Sequence, residues 1–217
     1  EAVGTDIGTV TITQSGGTTF ASTVDAATVA ITDTADAATV AFQGNLTVTT
    51  ALTTANGGAD NYNVSITGGT NSIAGTTTFA NGGTVTLGDA AGDSTTFVGG
   101  VTATAPSALN IAGTIGATTA ASTITLGDAN TAVAVTASAN IGGAATGLID
   151  LGDATLADGA TLTVGTGIAN AINLDAVTGT AAGAVSNLTI NTTGAVAVAE
   201  AVGTDIGTVT ITQSGGT

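Results

Sequence analysis

The chain has 217 residues and a formal charge of −15, with 15 acidic side chains and no Lys, Arg or His. Cys, Met and Trp are also absent, and aromatic residues make up 2%. These absences exclude nucleic-acid binding, which needs basic side chains against phosphate, His-based nucleophilic catalysis, disulfides, Cys/His zinc sites and Lys–Asn isopeptide crosslinks.

In chain order, apolar–x–apolar triplets predict short strands at residues 10–12, 29–31, 40–42, 46–48, 64–66 and 85–87. They continue at 109–111, 124–126, 133–135, 162–164, 172–174, 188–190 and 196–198. Each sits in an alternating, β-branched context, which is the half-buried strand pattern. Gly, Asn, Asp and Ser fill the intervals and read as turns. Leu-Gly-Asp closes a strand and opens a turn at residues 87–89, 126–128 and 151–153. A Thr-Phe pair recurs at Thr19-Phe20, Thr78-Phe79 and Thr96-Phe97. Ala-rich pieces are too short for stable helices. The most apolar stretch, residues 195–202, is too short to span a membrane. The chain opens Glu1-Ala2-Val3 without a secretory leader, as expected of a slice of something longer.

Residues 1–18 and 200–217 are identical, EAVGTDIGTVTITQSGGT, at an offset of 199 residues. The expected organisation is therefore one full period, 1–199, plus the opening of the next copy, 200–217, within a tandem array. Two all-β architectures fit. One is a parallel β-solenoid with about 20 residues per coil and about ten coils per period, rising near 48 Å. The other is a pair of β-sandwich adhesin repeats. Sandwiches usually anchor on large aromatics, and one Tyr with four Phe is thin for two domains. A slim core of Val, Ile, Leu and Ala favours the solenoid. Its end coils would be covered by neighbouring copies, so the expected partner is the protein itself.

The phrases TTFVGGVTATAPSALNIAGTI (95–115) and LGDATLADGATLTVGTG (151–167) resemble giant β-strand-repeat surface proteins of Gram-negative bacteria, similar to filamentous-haemagglutinin-like and autotransporter-like passengers. The resemblance runs over essentially the whole chain and rests on composition and repeat style. It implies secretion, a cell-surface or extracellular-filament location and an adhesive or scaffolding role. It supplies no functional residues.

The candidate metal ligands are Asp89 and Asp93, which bracket a turn, and Asp150, Asp153 and Asp158, which lie close in sequence. Carboxylates at Gly-containing turns suit Ca2+, and the competing expectation is solvated turn caps. Gly57-Gly58-Ala59-Asp60 is a poor fragment of the calcium-binding nonapeptide repeat. Thr-x-Thr pairs at residues 9–13, 47–49, 84–86, 102–104, 123–125 and 161–163 raise an ice-binding ladder. The competing expectation there is cross-strand Thr pairing on an outward face. Paired carboxylates also raise glycoside hydrolysis, but aromatic platforms and a Lys or Arg base are missing, so an enzyme is not expected. The expected function is a structural repeat of a surface filament, matrix fibre or adhesin stalk. No nucleic acid and no membrane insertion by this segment are expected. A surface or glycan ligand, or an ice-binding face, is the alternative of a different class.

Overall fold

The computed structural model describes residues 1–58, 60–144, 147–213 and 215–216. Among them the chain forms strands and turns and no helix. All named strand pairs are parallel. The result is a β-solenoid of about 9 turns with roughly 23 residues per turn. A hairpin joins antiparallel neighbours, whereas parallel neighbours need a long return path. Here the return path is the rest of the coil.

Each turn has three faces. The first stacks residues 24–26, 46–48, Thr70–Ile73, Ser94–Phe97, 113–116, 139–142, Thr161–Val164, Ser186–Asn191 and Ile206–Gln213. The second begins with residues 9–12, 28–31 and 51–54. It continues with Thr77–Thr78, Val101–Ala103, Ile124–Leu126, Ile149–Leu151, Ile172–Leu174 and Val196–Val198. Thr54 joins these two blocks, accepting the Ala80 N–H at 2.7 Å. The third face stacks Thr18–Phe20, Thr39–Phe42, Asn63–Ile66, Thr84–Leu87, 108–111, 132–135, Ala154–Leu156 and Val177–Gly179.

The strand alternation explains the core. On the second face Val101, Ile124, Ile149, Ile172 and Val196 stack in register and are all buried. The residues between them, Thr102, Thr125 and Asp150, are partly exposed. Every predicted triplet lies within a strand. The turn is longer than the expected 20 residues because three corners, rather than a simple return, separate the strands. Two of the Thr-Phe pairs bring Phe79 and Phe97 into the core edge to face, with centroids 6.1 Å apart. Phe20 stacks on Phe42 one turn later at 5.0 Å.

The corners bring backbones into contact. A Cβ on Gly68 would overlap the Gly44 carbonyl one turn below, and one on Gly44 would overlap Ser22. Glycine is required there by proximity, since neither residue has a positive φ.

Tyr62 is buried and donates its hydroxyl to the Ala55 carbonyl at 2.6 Å. Burial pushes it up to about 12, with the charge of Asp33 adding to the rise. A raised folded value means stability that is complete below the ordinary tyrosine value near 10. That stability drains away as pH climbs from 10 through 12. No Lys, Arg, Cys or second Tyr titrates in that window. The urea midpoint is therefore expected to fall between pH 9.5 and 12 in the native chain and to stay level in Tyr62→Phe. An equal alkaline decline in both proteins would contradict this burial.

Candidate functional site

The five candidate aspartates do not share one place. Asp89 and Asp93 lie in one turn after Thr84–Leu87. Asp93 Oδ2 accepts the N–H groups of Asp89 and Ala90, both at 2.9 Å. Asp150 points outward from Ile149–Leu151, between Thr125 and Asn173 on adjacent turns. Asp153 sits at the next corner, and its Oδ1 accepts the Ala176 N–H at 3.2 Å. Asp158 is exposed after Ala154–Leu156 and packs against Gly183. Among the described residues no group of three or more acidic side chains is arranged to hold a metal ion. In the Gly57–Asp60 fragment, Ala59 lies outside the described residues.

These carboxylates do have a role at turns. Asp128 Oδ1 accepts the Asn130 and Thr131 N–H groups at 2.8 and 2.9 Å, which is the expected Leu-Gly-Asp cap. In the first such motif the cap comes four residues later, from Asp93 rather than Asp89. The two carboxyls move apart in acidity. At Asp89, local desolvation and then the hydrogen bond and charge of Asp93 raise the carboxyl. At Asp93 burial also acts upward, but the Asp89 and Ala90 N–H groups and the Asp89 side chain outweigh it and hold the carboxyl down. A depressed value stabilises the fold above the ordinary carboxylate range and is lost as pH falls below about 4. Asp89 opposes this by favouring its protonated form. Asp93→Asn is expected to cost about 1 kcal/mol at pH 7. It should also weaken the acid-side loss of stability between pH 5 and 3, read by thermal melts. An unchanged melt at both pH values would contradict the cap.

Other side chains tie one turn to the next. Asn71 is buried; its Oδ1 accepts the Leu46 N–H at 3.0 Å, and its Nδ2 donates to Gly68 O at 2.7 Å and Thr95 Oγ1 at 3.1 Å. One amide thus connects three successive turns. Asn45 Oδ1 accepts the Thr70 N–H at 3.1 Å, and Asn63 Oδ1 accepts the Thr84 N–H at 2.7 Å. No pattern in the sequence singles out Asn71, because an Asn in a strand reads as a break in apolar alternation.

Thr columns form but are interrupted. Thr78, Thr102 and Thr125 are in register on the second face and are followed by Asp150 and Asn173. On the third face Ser65 and Thr86 are in register with Asn110 and Ala134. Thr13 and Thr32 hydroxyls bond each other across turns at 2.8 Å, as cross-strand pairing predicts. A groove of about 290 Å³ is lined by Asp6, Ile7, Gly8, Asp25, Ala26, Ala27 and Thr49. It presents two carboxylates, Asp6 and Asp25, and no aromatic platform. Among the described residues no helix is long and apolar enough to cross a membrane. In comparison with known families, curated proteins and solved structures, nothing matches this chain.

Proposed function

We propose that the chain is a structural period of a giant extracellular β-solenoid protein that builds a surface filament, matrix fibre or adhesin stalk. One observation carries this reading: the ladder of parallel strands runs unbroken from a first strand to a last strand that share their sequence. Such an element extends by adding copies of itself. Its work is mechanical: stacked turns set length and stiffness, and the outward polar columns set solubility and contacts. The partner is the same protein, and a surface glycan is the kind of ligand an adhesin stalk would present toward. The repeat style supports secretion from a Gram-negative bacterium.

The charge is consistent with this setting. No side-chain cation exists to pair with the 15 carboxylates, so like charge accumulates along the rod, screened over about 8 Å at physiological salt. Divalent cations such as Ca2+ then aid assembly from solution, at the exposed Asp89, Asp153 and Asp158 and the half-buried Asp150. EDTA is expected to lower the melting temperature and loosen fibres at low salt. Unchanged melting and fibre length would rule this role out. Antibody raised against the chain tests the location: it should decorate filaments on intact cells of the producing organism. Labelling that appears only after lysis would overturn the extracellular reading.

A further inference from the structure

The two identical segments sit at opposite ends of the rod, and each is paired on one side. In the first copy Val3 pairs upward with Val24 on the first face, and residues 9–12 pair upward with 28–31 on the second. In the second copy, Val202, the counterpart of Val3, pairs downward with Val177 on the third face. Residues 208–211, the counterparts of 9–12, pair downward with 187–190 on the first face. The segment has come back displaced by one face.

The displaced segment keeps its corners, although Gln14 has φ 53 while its counterpart Gln213 lies within the last strand without a positive φ. The corner residue Asp6 has φ 71, and its counterpart Asp205 has φ 64. Gly17 and Gly216 both keep a positive φ, at 123 and 142. Positive φ is uncommon for a non-glycine residue, so the shared value marks the same corner made twice. The arithmetic agrees: 199 residues at roughly 23 per turn is about eight and two-thirds turns.

The top edge also shows what fits it. Ile12 is 6% exposed, covered by the coil that begins at Thr18, and its carbonyl accepts the Thr32 N–H at 2.9 Å. Its counterpart Ile211 is 47% exposed and Val209 is 48% exposed. The same side chains, again in a strand, lack the coil that covers them in the first copy.

We infer that the edge formed by residues 202–213 docks a second copy of this chain's coil from Thr18 to Phe42, rotated one-third of a turn about the rod axis. The second copy's first face then lies over this copy's third face. Inward columns pass through the junction without a break: Val177, Val202, then the second copy's Val24; and Ile190, Ile211, then its Ile31. Three periods restore the original orientation after about 26 turns, or about 125 Å at 4.8 Å per turn. Every outward feature of one face is thereby presented on all three sides of the rod.

This inference rests on the reading of the chain as a tandem solenoid period. The test is a chain in which residues 1–199 precede a complete 217-residue copy, with a three-period version for imaging. Cryo-electron microscopy should show a rotation of about 120° per period with a rise near 42 Å, taking 4.8 Å per turn. Amide exchange at Val209 and Ile211 should slow at least tenfold at the internal junction relative to the single 217-residue chain. A rotation near zero, or beads with a rapidly exchanging junction, would overturn it. Rapid junction exchange alongside successful labelling of intact cells would sink the stacking and leave the extracellular role. Correct rotation with no surface labelling would do the reverse.

Discussion

Asn71→Ala is expected to cost about 3–5 kcal/mol, among the larger effects of any single substitution in this rod. The loss does not come from apolar area. It comes from leaving the Leu46 N–H, the Gly68 carbonyl and the Thr95 hydroxyl without the amide that bonds them. An orphaned buried polar group costs about 1–3 kcal/mol, and these three lie on three successive turns. The damage should be local as well as global, because each turn contacts mainly its neighbours. Denaturant unfolding reads the total, and hydrogen exchange at Leu46 reads the locality. Asn130→Ala, at an exposed turn, is the control and should stay within about 0.5 kcal/mol. Equal effects of the two would contradict the role given to Asn71.

Gly68→Ala and Gly69→Ala are expected to change stability in opposite directions, although the residues are adjacent. A glycine without positive φ normally gains about 0.4–1 kcal/mol on becoming alanine, by narrowing the unfolded ensemble. Gly69 meets nothing within 4 Å of an added Cβ, so it should follow that rule. An added Cβ on Gly68 overlaps the Gly44 carbonyl and lies 2.8 Å from the Asn45 nitrogen. Relief requires a shift of the corner backbone, and overpacking of this kind costs about 1–3 kcal/mol or more. Thermal melts of the two variants beside the native chain decide the matter. If both variants are stabilised, the turns are not in contact at this corner.

Most strand positions were legible where both inward slots hold a large apolar residue, but Ile149–Leu151, with both slots apolar around Asp150, was missed. Val64 and Ile66, or Leu109 and Ile111, announce their strands by alternation alone. Other strands that escaped carry a polar or small inward residue. Thr70–Ile73 buries Asn71, Ser94–Phe97 buries Thr95, and Ala154–Leu156 buries Ala154. Polar or small inward residues are satisfied by the neighbouring turn, which no local window can see. The Leu-Gly-Asp signal marked turns correctly, yet it could not tell that Asp93 caps the first one in place of Asp89. Asp150, Asp153 and Asp158, close in sequence, sit on a strand, at the next corner and after the following strand, placements that sequence distance alone does not give. The 18-residue identity was plain from the start. Its displacement by one face was not, because it depends on the true number of residues per turn.

The central claim is that parallel strands stack along the axis of a rod. X-ray scattering from aligned rods of the three-period chain tests it most directly. The account predicts a strong reflection near 4.8 Å along the rod axis, the spacing of hydrogen-bonded strands. A 4.8 Å reflection lying across the axis, with a bead spacing near 40 Å along it, would contradict the solenoid and point to a string of sandwiches.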